Sequence, residues 1–318
     1  MRKLALMALT TTTIACVDEN AGSRLQPLPP GAQAVSLFGD TLAAPPLTDE
    51  VRAAHEQRLA AAQDDYATDS TAADAIIWLG RRTAYLGQYR EAVEIYTRGV
   101  ERHPSDARMY RHRGHRYISV RRFDLAVDDL EHATTLILGT ADQVEPDGLP
   151  NARNIPTSTL QFNIWYHLGL TYYLTGRFAD AVQAYRECMQ VSKNPDALVA
   201  TSYWLYMTLK RLGLDDDAAA VLEPITPDMD IIENDSYHRL LLLFGGQLSP
   251  TALLNSDDQA TDPLANATVA YGVGSWYALT GRPDEADRAW RTVLSGTQWS
   301  AFGYIAAEAE IARADTPK

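Results

Sequence analysis

The stretch that decides the fold is ADAIIWLGRRTAYLGQYREAVEIYTRGVERHPSD, residues 73–106. Its pattern returns directly afterwards in ARMYRHRGHRYISVRRFDLAVDDLEHATTLILGT, residues 107–140. It returns a third time in FNIWYHLGLTYYLTGRFADAVQAYRECMQVSKNP, residues 162–195. A repeat of about 34 residues predicts stacked supersecondary units, each of which buries its apolar face against a neighbouring unit.

Small and large side chains alternate at fixed places in these three copies. The eighth place holds Gly80, Gly114 and Gly169, and the twenty-fourth place holds Tyr96, Leu130 and Tyr185. Two antiparallel helices that pack closely need small residues where their axes approach and large residues that fill the flanking holes. The sequence therefore predicts that each copy is a pair of packed helices.

This alternation resembles the tetratricopeptide repeat (TPR) family, whose unit is a helix-turn-helix. The resemblance implies an all-α solenoid of about a dozen helices in a right-handed superhelix. Weaker copies are expected at 199–232 and 267–298. The chain departs from the family pattern at Arg113, where Leu is usual, and at Thr83, where Tyr is usual.

The first sixteen residues, MRKLALMALTTTTIAC, are typical of an export signal, with basic residues followed by a short apolar run. That run is too short to span a bilayer, which needs about 20 residues. Cys16 resembles the lipidated cysteine of the bacterial lipobox, although Thr13 stands where Leu is usual. The resemblance implies a lipoprotein of the outer membrane that faces the periplasm, since Val17 is no retention signal. The alternative is plain secretion without lipid on Cys16.

Three further segments frame the repeats. Residues 17–46 are rich in proline and predict a flexible tether, with an ordered arm docked through Val35, Leu37 and Phe38 as the alternative. A helix that covers the first repeat is expected from Thr48, with Val51, Leu59, Ala62 and Tyr66 on one face, and the solenoid is expected to extend over residues 47–316. The tail 299–313 predicts an amphipathic closing helix.

The insertion at 141–161 separates the second and third copies, and its prolines forbid a continuous helix. Insertions of solenoids often line the binding face. The alternative, left open, is a plain loop that is tolerated because the entropy of loop closure rises slowly with length.

In the TPR family the first helix of each unit lines a concave surface that binds peptides or partner proteins. Carried over by position, that surface would comprise Arg81, Tyr85, Arg108, Arg111, His112, His115, Asn163, Tyr166, His167 and Tyr173. Arginine forks suit carboxylates, and tyrosines offer rigid contact area. This hypothesis predicts an acidic or carboxylate-terminated peptide, bound to Arg81, Arg111 and His115, and loss of the partner on a double change Arg111→Glu and His115→Glu. The alternative is a solvated basic face neutralised by nearby aspartates.

Catalytic motifs are missing from the sequence: it has no Gly-rich phosphate loop, no His-Glu-x-x-His and no Gly-x-Ser-x-Gly. We therefore expect neither an enzyme nor a cofactor. A metal held by His112, His115 and His167 is a weak alternative, because no carboxylate stands at a fixed spacing. Cys188 occupies a small-residue place and is expected to be a buried structural thiol.

The formal net charge of −13 over 318 residues argues against nucleic acid and against direct binding to anionic membranes. The expected function is an exported scaffold that binds a peptide or a partner protein in its concave groove. The alternative is an accessory envelope protein for a small molecule or glycan, with residues 141–161 as a lid.

Overall fold

The computed structural model describes residues 25–254 and 263–315 of the chain, and most of these residues are helical. A short antiparallel hairpin, β1 (Ala32–Val35) and β2 (Thr41–Ala43), precedes the helices. The helices in chain order are α1 (Asp49–Thr68), α2 (Ala73–Tyr85), α3 (Tyr89–Arg102), α4 (Ala107–Ser119), α5 (Phe123–Leu136), α6 (Leu160–Leu174), α7 (Phe178–Val191), α8 (Pro195–Arg211), α9 (Asp215–Leu222), α10 (Asp235–Phe244), α11 (Pro250–Leu254), α12 (Pro263–Leu279), α13 (Pro283–Leu294) and α14 (Phe302–Asp315). Successive helices pack on one another from α1 to α9 and again from α12 to α14. The predicted all-α solenoid is confirmed.

The eighth and twenty-fourth places of each repeat meet at the contact between its two helices. A Cβ atom added to Gly80 would lie 2.4 Å from Cζ of Tyr96, and one added to Gly169 would lie 2.7 Å from Cε1 of Tyr185. The same relation joins Gly114 to Leu130 at 2.8 Å and Gly274 to Trp290 at 2.6 Å. Real Cβ contacts are longer than this, so only glycine admits the large side chain of the partner helix. The predicted packing of small residues on one helix against large residues on the other is confirmed.

The N-terminal arm corrects part of the predicted tether, because residues 25–46 dock on the solenoid. The side-chain oxygen of Gln33 accepts a hydrogen bond from the backbone N–H of Arg90 at the start of α3, at 3.0 Å. Trp299 donates its indole N–H to the carbonyl of Ala43 at 2.6 Å. Polar groups of the arm thus find partners in the helices, which proline-rich composition does not reveal. Residues 17–24 lie outside the described part of the chain.

The alternative arm, docked through its large apolar residues, is also corrected in detail. Val35, Leu37 and Phe38 remain 36%, 38% and 46% exposed, whereas the small Ala34 is buried at 1%. The methyl group of Ala34, and not the ring of Phe38, faces the helices, which lets the arm lie close to them. Close packing between β1 and the helices leaves room only for a small side chain at this position.

Helix α1 begins after Thr48, whose hydroxyl accepts the backbone N–H of Val51 at 3.3 Å, as a helix N-cap does. Ala62 is buried as predicted, but Val51 is 43% exposed. His55 takes an inward place instead and stacks on Tyr85, with ring centroids 5.8 Å apart. The helix covers the first repeat with a different face from the one predicted at its start.

Helix α14 is present, but the predicted amphipathic pattern is wrong. It is buried continuously from Ile305 to Ile311, including Glu308 and Glu310, and it contacts α6, α12 and α13. Its carboxylates can lie inside because Arg121, in the turn between α4 and α5, pairs with Glu308, and Arg211 of α8 pairs with Glu310. The C-terminal helix therefore fills part of the solenoid interior.

Among the helices of the described residues, none combines the length and the apolar composition that a membrane span requires.

Candidate binding site in the solenoid interior

Ten predicted residues form what we call the inner wall, and α2, α4 and α6 carry them side by side. These residues are Arg81, Tyr85, Arg108, Arg111, His112, His115, Asn163, Tyr166, His167 and Tyr173. All ten side chains are buried or half-buried. Two elements cover the wall: the insertion from one side and α14 from the other.

The insertion at 141–161, which we call the strap, lies directly against the inner wall. Arg81 donates from Nη1 to the carbonyl of Pro146 at 2.7 Å, and Arg82 donates from Nη1 to the carbonyl of Gly148 at 2.7 Å. A Cβ atom on Gly148 would fall 1.6 Å from the hydroxyl of Tyr85, so any larger residue would be forced away from the wall. The strap is therefore shaped to pass over α2 at close range.

The carboxylate of Glu145 anchors the strap to α4 and α6. It lies 2.9 Å from Nη2 of Arg111 and accepts a hydrogen bond from Nδ2 of Asn163 at 3.1 Å. The side chains of Glu145 and Arg111 are only 10% and 9% exposed, so water screens their attraction weakly. Burial lowers the pKa of Arg111 and the Glu145 carboxylate raises it. The predicted acid-binding residue thus already binds an acid of its own chain.

The three histidines of the inner wall are neutral at physiological pH. His112 stacks on Tyr96 with centroids 5.5 Å apart, and the rings of His115 and His167 are 4.4 Å apart. Burial, followed by the charges of nearby arginines, holds the pKa of each histidine well below its usual value. A contact of His115 with an acidic group, as the sequence predicts, would therefore be a hydrogen bond from a neutral ring. Among the described residues, no group of three side chains is arranged to hold a metal ion.

The remaining predicted residues lie at the edges of the wall. Tyr166 accepts the indole N–H of Trp204 at 2.8 Å and lines a cavity, whereas Tyr173 lies beneath α14 with its hydroxyl 3.2 Å from Glu310. Arg108 forms ion pairs of 2.6 Å with Asp74 and with Asp106. The structure therefore groups most of the wall around the strap, but it places Tyr173 and Arg108 apart from that group.

Helix α14 is held against the inside by a buried ion pair. Arg121 lies 2.7 Å from Glu308, their side chains are 3% and 1% exposed, and Glu308 also accepts the backbone N–H of Leu37 in the arm. Arg121 has a φ of 61°, in the left-handed region where the other repeats have Gly87, Gly176, Gly213 and Gly281. A non-glycine residue there is unusual, and its side chain supplies the contact that offsets the strain. In the sequence, only the missing glycine points to this pairing.

A chamber remains between the strap and α14. Two adjoining cavities of about 500 Å³ and about 300 Å³ share His115, Glu233, Asn234, Tyr237 and Phe302 in their walls. Arg116 lines the larger cavity, with its guanidinium 5.4 Å from the ring centre of Tyr89. Sequence reasoning passed over Arg116, although it stands four residues after His112 and so shares its helix face.

The comparison with known families agrees with this geometry. Residues 162–195, which comprise α6 and α7, match the family model of the tetratricopeptide repeat. The chain contains a tetratricopeptide repeat. The matched TPR unit is the one whose first helix carries Asn163, Tyr166 and His167 of the inner wall. No curated protein matches the chain.

Several solved structures are distantly similar to this chain. YrrB, described as a TPR protein with an unusual peptide-binding site, is 15% identical, with 79% of this chain and 98% of YrrB covered and a TM-score of 0.40. MamA of AMB-1 is 17% identical, with 54% of this chain and 88% of MamA covered and a TM-score of 0.40. The quorum sensor NprR from B. thuringiensis, in its apo form, is 14% identical, with 77% and 82% covered and a TM-score of 0.36.

Proposed function

We propose that this TPR protein is a protein-interaction scaffold, not an enzyme, and that its inner wall binds an acidic extended segment of a partner protein. The observation that carries the proposal is the position of the strap. An acidic extended segment of the chain itself already lies on Arg81, Arg82 and Arg111. A partner segment of the same chemistry would bind in its place.

The contacts of the strap indicate what such a partner must offer. A carboxylate meets the fork of Arg111, and backbone carbonyls meet Arg81 and Arg82. Charge-assisted hydrogen bonds of this kind are stronger than neutral ones, and two of the three involve the backbone, which every peptide has. A partner segment with an acidic residue followed by Pro or Gly would fit the wall, because the strap has Glu145 followed by Pro146 and Gly148.

The strap competes with any partner because it is covalently attached. A tethered segment acts at an effective concentration of about 1 mM, so a free peptide of equal intrinsic affinity binds weakly while the strap is in place. The intact chain therefore favours partners that make further contacts. Removal of the strap should expose the recognition chemistry alone.

The experiment replaces residues 145–158 with a short Gly-Ser turn. This replacement is feasible because Val144 and Thr159 form an antiparallel bridge and already face each other. The probe is a fluorescent peptide of sequence QVEPDGLP, which corresponds to residues 143–150. We expect the strap-shortened protein to bind this peptide at least about tenfold more tightly than the intact protein does.

Two controls make the result specific. The neutral peptide QVQPNGLP should bind weakly, and Arg111→Glu in the strap-shortened protein should lose the acidic peptide while circular dichroism shows unchanged helicity. Arg186→Glu, on α7 and paired there with Asp217 at 2.8 Å, should leave binding unchanged. Equal binding of both peptides, or binding that survives Arg111→Glu, would overturn the proposal.

We also propose that the protein is exported and anchored to the outer membrane through lipid on Cys16, facing the periplasm. The signal pattern of the first sixteen residues supports this. Labelling with a fatty-acid analogue tests the anchor: wild type should incorporate label and Cys16→Ser should not, and label in neither would refute it.

A further inference from the structure

The chamber between the strap and α14 has a basic side that the described chain does not neutralise. The side chain of Arg116 forms no hydrogen bond and no ion pair with any residue in 25–254 or 263–315, and its only ring contact there is the one with Tyr89. Burial lowers the pKa of Arg116, and the neighbouring phenols of Tyr89 and Tyr96 raise it. The guanidinium stays charged, because an arginine loses its proton only far above physiological pH. The guanidinium of Arg116 can therefore bind an anionic group in the chamber.

The smaller cavity has an acidic side of the same kind. Asp147 of the strap and Glu233 both line it, and neither forms an ion pair with a basic side chain of the described residues. Burial raises the pKa of Asp147, and the negative charge of Glu233 raises it further. Glu233 is held in position by Asn151, whose Nδ2 donates to it at 2.8 Å, and by the hydroxyl of Thr157 at 2.5 Å. Two carboxylates close enough to disturb each other would be stabilised by a cation between them.

The walls between these two sides suit a small organic molecule. They present aromatic rings, from Tyr85, Tyr89, Tyr237 and Phe302, and hydroxyl groups, from Ser119, Ser236 and Ser300. Ligand pockets are commonly about 300–1,000 Å³, with mostly apolar walls and a few polar groups that fix orientation. Cavities of about 500 Å³ and about 300 Å³ fall in that range.

We propose that the chamber binds a small zwitterionic ligand of amino-acid or dipeptide size. Its carboxylate lies on Arg116, its ammonium group lies against Asp147 and Glu233, and its side chains contact the aromatic walls. A purely anionic ligand would leave the carboxylates of Asp147 and Glu233 without a positive partner. A neutral sugar would leave both carboxylates and Arg116 without a partner of opposite charge. Only a ligand with both charges satisfies both sides of the chamber. This site adjoins the partner-binding inner wall, because Tyr85 and His115 of the wall line the larger cavity and Arg111, Asn163 and His167 line the smaller one. It differs in its charged contacts, which are made by Arg116, Asp147 and Glu233, and it requires the strap to be in place because Asp147 belongs to the strap.

Isothermal titration of the full chain tests the proposal with the dipeptide Ala-Phe, its C-terminal amide and its N-acetyl form. We expect the free dipeptide to bind about 10- to 100-fold more tightly than either blocked form, since each blocked form lacks one charge-assisted hydrogen bond. Arg116→Gln should remove the preference over the amide. The double variant Asp147→Asn and Glu233→Gln should remove the preference over the acetylated form.

The matched control is Arg186→Gln, which changes an arginine on α7 that lines neither cavity and should leave all three affinities unchanged. Equal binding of the three dipeptide forms, absence of binding by the free dipeptide, or an amide preference that persists in Arg116→Gln would each overturn the proposal. Tight binding of maltose that does not depend on Arg116 would overturn it as well. Failure here is distinguishable from failure of the partner-binding proposal, which is measured with the strap-shortened protein and a different peptide.

Discussion

The contact between the two helices of each repeat and the interior of the solenoid are built by opposite rules. At the helix contact, Gly80, Gly114, Gly169 and Gly274 each receive one large side chain from the partner helix. In the interior, nothing recurs: Glu145 comes from an insertion and Glu308 from the terminal helix, and each meets a different arginine. The repeat thus determines where the helices lie, and residues that occur once determine what fills the space between them.

The turn between the two helices of a repeat shows the same contrast at a single position. Four repeats have glycine there, with positive φ at Gly87, Gly176, Gly213 and Gly281, whereas the second repeat has Arg121 at a φ of 61°. Glycine adopts this conformation without strain, and arginine pays about 1–2 kcal/mol for it. The exception occurs where the side chain has a partner in the interior, Glu308. A departure from the repeat pattern therefore marks a contact outside the repeat.

The largest effect is expected from breaking the interior at Glu308→Ala. This change leaves Arg121 charged and buried without its partner, and breaking a buried ion pair from one side costs about 3–5 kcal/mol. Urea unfolding followed by circular dichroism measures the loss. It should also release the arm, because Glu308 accepts the backbone N–H of Leu37.

An exposed ion pair provides the control. Asp217→Ala removes a carboxylate that pairs with Arg186, with both side chains 51% exposed, and should change stability little. If Glu308→Ala unfolds at the same urea concentration as Asp217→Ala, the interior does not depend on this pair.

A smaller loss, about 1–3 kcal/mol, is expected from the helix contact in Gly169→Ala. The new Cβ would lie 2.7 Å from the ring of Tyr185, which is fully buried and has no room to move. The free energy of unfolding, from urea titration, checks it. Gly245→Ala is the matched control because its Cβ would meet nothing closer than 3.5 Å. Equal stability of the two variants would contradict the proposed role of the glycine.

The smallest effect is a pH dependence that arises from the inner wall. The pKa of His167 is lowered well below its usual value of about 6.5, first by burial and then by the charge of Arg111. The unfolded chain takes up a proton below pH 6.5 and the folded chain does not. The stability from this residue is therefore complete above about pH 7 and falls as pH drops below about 6.5, by up to about 1.4 kcal/mol per pH unit.

The measurement compares the slope of unfolding free energy against pH, between pH 7.5 and 5.5, in wild type and in His167→Gln. The slope should flatten in the variant. A slope unchanged by His167→Gln would show that the imidazole is not held neutral in the fold.

The sequence predicted the parts of the fold that recur and was less successful elsewhere. The helix pairs and the glycine contacts follow from the 34-residue spacing, and Thr48 was identified as a cap from its residue type alone. The docking of residues 25–46 was not predicted, because the arm is held by Gln33, Ala34 and the carbonyl of Ala43, none of which has a distinctive pattern. The burial of α14 was not predicted either, since Glu308 and Glu310 look solvent-exposed until their arginines are known.

The candidate site shows a similar division. The resemblance to the TPR unit predicts that Arg81, Arg111 and Asn163, which come from three different helices, share one surface, and in the structure all three contact the strap. The sequence could not show that Glu145 of the strap occupies Arg111, or that Arg116 faces a chamber instead. Those facts depend on which residues meet across 18 or more positions of sequence, and no local pattern encodes such meetings.

By itself, the sequence determined the helical repeat, because close packing of two helices restricts residue size at fixed intervals. Only the tertiary structure decided what the interior contains. The strap and α14 both enter the space that the repeats enclose, and their charges find arginines there that lie far away in the chain. Packing within a repeat is local and leaves a periodic record, whereas the pairing of Glu145 and Glu308 with their arginines is non-local and leaves none.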